Sequence, residues 1–129
     1  MKLLLDTHAL IWWWLDDPKL STAARSVITD HGSEVWVSAA SAWEVLTKQR
    51  LGKLPELPSD LSTSWTALLQ ADGFQPLSIS TAHALRAGSH PAAHRDPFDR
   101  LLAAQAEIEQ AVLVSCDTAL DPFGVRRLW

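Results

Sequence analysis

Apolar and polar positions along the chain switch repeatedly between a strand-like run and a helix-like period, and each switch marks a new element. Residues 2–6, ending in Asp6, form a short apolar run that reads as a buried strand. Residues 8–15 then read as a short helix begun by Asp6 or Thr7. Ser21 can cap a second helix to about Asp30. Residues 34–38, β-branched and aromatic between Gly32 and Ser38, read as a second strand. Ser38 or Ser41 can cap a helix over 42–51, where Trp43, Leu46 and Arg50 recur at helical spacing, Val45 widens the apolar face and Gly52 stands at the C-cap.

The second half repeats the pattern. Residues 59–71 carry Leu61, Trp65, Leu68 and Leu69 on one helical face, and Gly73 stops them. Residues 74–79 are a weaker strand interrupted by Pro76, and Ser80 or Thr81 caps a helix to about Ala87. Asp96 is placed as the N-cap, with Pro97 at the first position, of a helix over 98–110. Residues 111–115 are the clearest strand, and 125–129 supply an edge strand. Strands separated by helices imply parallel pairing through right-handed crossovers, an α/β fold built as a three-layer α/β/α sandwich with a mostly parallel central sheet. The turn signals punctuate one domain over residues 1–129 rather than dividing two.

Composition narrows the function classes. With 129 residues, 47% hydrophobic and 20% charged, the chain is neither disordered nor large enough to need two cores. Its one cysteine, Cys116, excludes an internal disulfide and a Cys-based zinc cluster, and a reducing cytoplasm is the expected compartment. The longest apolar run, residues 9–15, is too short to span a membrane, and the opening segment lacks a secretory cleavage pattern. A net charge of −4 argues against nonspecific coating of nucleic acid and directs attention to the acids.

Ligands in such sheets bind beyond the strand C-termini. Four carboxylates fall at that edge: Asp6 after the first strand, Glu44 early in the helix after the second, Asp99 at the start of a late helix, and Asp117 after the last core strand. Any one of them alone reads first as a cap or turn residue, but four gathered in one cleft repel and call for a cation. Oxygen ligands without Cys or paired His select a hard ion, Mg²⁺ or Mn²⁺. His8, His83, His90 and His94 match no metal-binding spacing and are assigned structural or surface roles, and neither Ser115 nor Cys116 sits in a nucleophile elbow.

Taken in order, residues 3–8 (Leu-Leu-Leu-Asp-Thr-His), 41–45 (Ser-Ala-Trp-Glu-Val), 96–106 (Asp-Pro-Phe-Asp-Arg-Leu-Leu-Ala-Ala-Gln-Ala) and 114–117 (Val-Ser-Cys-Asp) resemble a PIN-domain ribonuclease, in particular a VapC-like toxin of a type II toxin–antitoxin system. The resemblance covers essentially the whole chain. It implies a cytoplasmic endoribonuclease in which Asp6, Glu44, Asp99 and Asp117 hold one or two Mg²⁺ ions, or Mn²⁺, and position water against an RNA phosphodiester. It further implies a VapB-like antitoxin as partner, a homodimer, and no membrane. Thr7, Asp96 and Ser115 would support the metal site from outside the direct ligands, with Asp99 favoured over Asp96 as the ligand and Asp121 a further acid at the fringe. Two rivals stand beside this reading: a metal-dependent phosphatase, disfavoured because His8 stands where its second Asp would be, and a non-catalytic PIN-like module that binds RNA or protein.

Lys48, Arg50 and Lys53 follow Glu44, while Arg95 and Arg100 flank Asp96 and Asp99; of these, Arg100, Lys48 and Arg95 are the candidate contacts to the RNA backbone. Trp12, Trp13 and Trp14 are consecutive, and three helical neighbours span about 200°, so they cannot all face one core. By resemblance, one or two of them, together with Trp43, are candidates to meet the antitoxin or a second copy. The alternative is that they cover the outer edge of a small core.

Overall fold

The computed structural model describes residues 1–129 and runs β1 (Lys2–Leu5), α1 (Thr7–Trp14), α2 (Thr22–Thr29), β2 (Glu34–Ser38), α3 (Ala39–Arg50), α4 (Leu61–Asp72), β3 (Gln75–Leu77), α5 (Thr81–Ser89), α6 (Pro97–Ile108), β4 (Val112–Val114), a 3₁₀ turn (Thr118–Phe123) and β5 (Arg127–Leu128). All strand pairs are parallel, in the order β3-β2-β1-β4-β5. This is the expected α/β sandwich. Chain order runs outward from β1 in one direction to β3 and then resumes on its other side at β4, so the strand order reverses between β1 and β4. In sheets of this kind such a reversal opens a crevice at the strand C-termini.

Period-two alternation in β1 sorts the two cores. Leu3 and Leu5 face a cluster built with Ala9 and Leu10 of α1, Ala24 and Ile28 of α2, Val35, Val37, Leu69 and Val112. Leu4 faces the opposite layer, where Leu102, Ala103 and Ala106 of α6 pack with Leu113, Leu120 and Phe123. Leu3, Leu4, Leu5 and Leu113 are wholly buried, as expected of strands covered on both sides. A third cluster of Ile11, Val45, Leu57 and Leu61 seats α3 beside α1 and α4.

Boundaries shift where capping outweighs periodicity. The helix α3 begins three residues before the apolar pattern does, because the Ser38 hydroxyl accepts from the Ala40 amide and opens the helix directly from β2. Ser21 caps α2 and Ser80 caps α5 as expected, the latter reciprocally with His83. Pro76 lies in β3 at the sheet edge, where a missing N–H is tolerated. The 3₁₀ turn was not legible in the sequence pattern. Gly73 ends α4 at φ +72, a conformation that favours glycine.

Candidate active site

The amide of Asp6 donates to the Val114 carbonyl (3.0 Å), extending the β1–β4 ladder one residue and holding Asp6 at the crevice. Its side chain is buried, and Oδ2 accepts a short hydrogen bond from the Ser115 hydroxyl (2.6 Å). Ser115 in turn accepts from the Asp117 amide (3.1 Å), so its hydroxyl has one orientation available and points its proton at Asp6. Burial pushes the Asp6 carboxyl above its ordinary range. The Ser115 hydrogen bond, the His8 charge and the Thr7 amide oppose that rise, while the Glu44 charge adds to it.

Asp99 reaches the same neighbourhood from the first turn of α6. Its Oδ2 lies 2.8 Å from Nε2 of His94, and its side chain keeps 18% exposure. Burial is the main cause that pushes its carboxyl up to about 6, the charges of Asp96 and Asp6 add to the rise, and His94 opposes it. The charge of Asp6 acts on Asp99 and that of Glu44 on Asp6, which places the carboxylates in one electrostatic field, and neither Asp6 nor Asp99 is paired with a Lys or Arg. Glu44 joins that field but is partly neutralised: its Oε2 stands 3.3 Å from Nζ of Lys48 one helical turn on.

Of the four acids expected at this edge, the electrostatics link Asp6, Glu44 and Asp99, and the fourth, Asp117, makes a local cap. Asp117 is half-buried, its Oδ1 accepting from the Ala119 amide (3.0 Å) to cap the 3₁₀ turn, and no three His, Cys, Asp or Glu side chains stand in an arrangement that could hold a metal ion. The cap is local, because an Asp before a turn satisfies the turn's free N–H groups more readily than it crosses a cleft. Asp96 caps α6, its Oδ1 accepting from the Phe98 (2.9 Å) and Asp99 (3.2 Å) amides. Asp121 is bound to Arg127 (2.7 Å), which also donates to the Ser115 carbonyl (3.0 Å). Thr7 Oγ1 and Ser41 Oγ lie 3.0 Å apart in a buried contact that joins the start of α1 to α3.

The donor set fits a hard divalent cation with most of its water retained. Mg²⁺ needs only one or two protein carboxylates, and Asp6 and Asp99 are two such groups whose burial and mutual repulsion a cation would relieve. No Cys or His cluster favours zinc.

Residues 3–124 match the family model described as the PIN domain. The chain belongs to the PIN domain family. A segment of 91 residues is 37% identical to Ribonuclease VapC16 of Mycobacterium tuberculosis, covering 60% of this chain and 63% of that protein, so the chain spans less than two thirds of that relative's length. The fold matches VapBC2 from Rickettsia felis bound to a promoter DNA fragment, with TM-score 0.68 and 12% identity over 99% of this chain and 98% of that one. It also matches VapBC-1 from nontypeable Haemophilus influenzae, with TM-score 0.69 and 18% identity over 99% and 97%. FitAcB from Neisseria gonorrhoeae follows, with TM-score 0.57 and 18% identity over 98% and 96%.

In this PIN domain the cations expected at RNA are mostly engaged. Arg100 gives its guanidinium to four backbone carbonyls, those of Ala87, His90, Ala92 and His94, at 2.6–2.8 Å. A half-buried guanidinium against a loop finds carbonyl partners there, and four of its N–H groups are so engaged. Lys48 is held between Glu44 and Nε2 of His8 (3.4 Å). Arg95, Arg50 and Lys53 remain exposed. A groove of about 750 Å³ is lined by Trp43, Leu46, Arg50, Leu54 and Leu57 among others, and none of the four acids borders it.

Trp12, Trp13 and Trp14 are all half-buried and pack on the core: Trp12 against Trp129, Trp13 against Phe74, and Trp14 edge-on against Trp65 with its Nε1 donating to Asp72 (3.1 Å). Because α1 lies between the sheet and α3, aromatic neighbours meet it over a wide arc. Trp43 is the exposed one, at 62%, and packs edge-on against Phe98 with ring centroids 4.9 Å apart. Sequence reasoning missed two contributors to the PIN domain site, His94 and Ser41. The only signal was proximity: His94 lies five residues before Asp99 and Ser41 three before Glu44.

Proposed function

We propose that the chain is a metal-dependent endoribonuclease that acts as the toxin of a toxin–antitoxin pair, with Mg²⁺ as its ion and Mn²⁺ as a substitute. One observation carries the reading: two carboxylates, Asp6 and Asp99, lie in the crevice of a PIN domain with no Lys or Arg paired to either, both held above their ordinary pKa. The ribonuclease name of the partly aligned relative supports the choice of RNA.

Asp6 and Asp99 would hold the ion, with Glu44 the nearest further acid, and a bound divalent cation supplies Lewis acidity to water and to the phosphodiester. The chain's own groups prepare the site. Ser115 donates to Asp6 and His94 lies within hydrogen-bond distance of Asp99, which stabilises both carboxylates in the ionised form that a cation requires. Lys48 balances the charge of Glu44. Hydrolysis adds the oxygen of water to phosphorus and expels the bridging sugar oxygen, which takes up a proton. Arg95, exposed beside Asp96, is the candidate for the RNA backbone that makes no contact of its own, and Asp117, with Oδ1 in a local cap, is the fourth acid of the proposed site.

The proposed partner is a VapB-like antitoxin, with a second copy of the toxin completing the assembly. Support comes from the fold matches, which are VapBC and FitAB assemblies, and Trp43 with Phe98 offers the exposed aromatic contact. The test is cleavage of total cellular RNA by purified protein with Mg²⁺, with Mn²⁺ and with EDTA, alongside Asp6→Asn, Asp99→Asn and Asp96→Asn. Discrete fragments that require the ion, vanish with Asp6→Asn and Asp99→Asn and persist with Asp96→Asn are expected. No ion-dependent cleavage from folded protein across several RNA pools would overturn the nuclease reading in favour of a binding module.

A further inference from the structure

Residues 90–96 connect α5 to α6 without helix or strand, yet they carry the one imidazole that reaches Asp99. Their path is set by Arg100. Its Nε donates to the Ala87 carbonyl at the end of α5 (2.8 Å), Nη1 to Ala92 (2.8 Å) and His94 (2.7 Å), and Nη2 to His90 (2.6 Å). Four of the five guanidinium N–H directions are thereby accounted for by one connection. Phe123 supports the same assembly from below: the guanidinium carbon lies 5.7 Å from its ring centroid, and the His90 and His94 rings stand 4.9 and 6.0 Å from it. His90 adds a local bond, its Nδ1 accepting from the Ala92 amide (3.0 Å).

Arg100 directly follows Asp99 on α6, so one helical turn presents both the carboxylate and the fork that fixes the loop opposite it. Taking the metal-dependent reading of the site as its basis, we propose that Arg100 and His94 are positioning residues: Arg100 clamps residues 87–94 so that His94 Nε2–H holds one oxygen of Asp99, leaving that carboxylate pre-set for a divalent cation. A carboxylate that ligates a metal is commonly oriented by such an outer hydrogen bond, and losing it weakens metal binding about 10–100-fold. Lysine cannot replace the clamp, since a single ammonium lacks the planar fork that meets carbonyls on several sides.

The test titrates Mn²⁺ into metal-free protein by calorimetry, so that binding is read apart from catalysis, and records the imidazole nitrogen-15 spectrum of the same samples at pH 8. His94→Ala is expected to weaken Mn²⁺ binding about 10–100-fold. His94→Gln, whose amide can still donate, is expected to recover most of the loss. Arg100→Lys should weaken binding comparably, and His94→Ala with Arg100→Lys should be no weaker than the worse single variant. In the spectrum, the Nε2–H form of His94 should dominate in the wild type and give way to a tautomer mixture in Arg100→Lys. Wild-type affinity in His94→Ala, no recovery with Gln, or a double variant that loses the product of both singles would overturn the proposal. If the wild type binds no Mn²⁺, the metal reading itself fails, and the spectrum decides the clamp alone: an unchanged His94 signal in Arg100→Lys refutes it. Should Arg100→Lys fail to fold, the two His94 variants decide.

Discussion

Replacing Asp99 with Asn should stabilise the metal-free protein near neutral pH. The folded environment raises the Asp99 carboxyl from 3.8 to about 6, chiefly through burial. Folding therefore favours its proton, and ionising the group costs stability: the cost is absent below the unfolded value near 4, grows as pH rises, and is complete above about 6. A shift of about 2 units at 1.36 kcal/mol each sets a ceiling of about 3 kcal/mol. The side chain keeps 18% exposure and water screens it, which brings the expected gain to ~1–2 kcal/mol. Asn keeps the shape and a carbonyl that accepts from His94. For a chain of this length the gain amounts to a rise in Tm of roughly 3–8 °C. The assay is thermal unfolding of wild type and variant in EDTA from pH 4 to pH 8. The variant should gain most at pH 7–8 and nothing at pH 4, and adding Mg²⁺ should narrow the difference by stabilising only the wild type. A variant less stable than wild type at pH 8, or a gain that does not change with pH, would refute the account of Asp99 as a carboxylate strained by burial.

Ser115→Ala removes the donor to the buried Asp6 oxygen and should cost about 1.5–3 kcal/mol in urea unfolding at pH 8, with the cost falling as pH is lowered and Asp6 takes up a proton. Thr7→Val leaves the buried Ser41 hydroxyl without its partner, and a loss of about 1–2 kcal/mol in the same assay is expected. Leu113→Ala, at a wholly buried position of β4, should cost about 2–5 kcal/mol, and a cost under 1 would contradict its central place in the core. Trp43→Ala should change stability by no more than about 1 kcal/mol while weakening antitoxin capture in a pull-down; unchanged capture would remove Trp43 from the interface.

Much of the fold was legible because local physics and tertiary demand agree along most of this chain. The apolar runs at residues 2–6 and 111–115 cannot be satisfied except between two helical layers, and Ser21, Ser80 and Asp96 cap helices through their own neighbours. The sequence by itself also determined that Asp6 and Asp99 stand at strand and helix ends on one edge of the sheet, since alternation and parallel crossover place them there. What only the tertiary structure decided are the partners of polar side chains. Arg100 reads as a surface cation beside an acid, yet it closes on carbonyls as far back as residue 87. Asp117 reads as the fourth acid of a cluster, yet a nearby turn claims its oxygen. His94 reads as a loop histidine, yet it meets Asp99, and three adjacent tryptophans find three separate neighbours. Apolar burial is nonspecific and periodic, so a one-dimensional pattern encodes it. A hydrogen bond depends on direction and on a distance within a few tenths of an ångström, which the chain acquires only when its layers have packed.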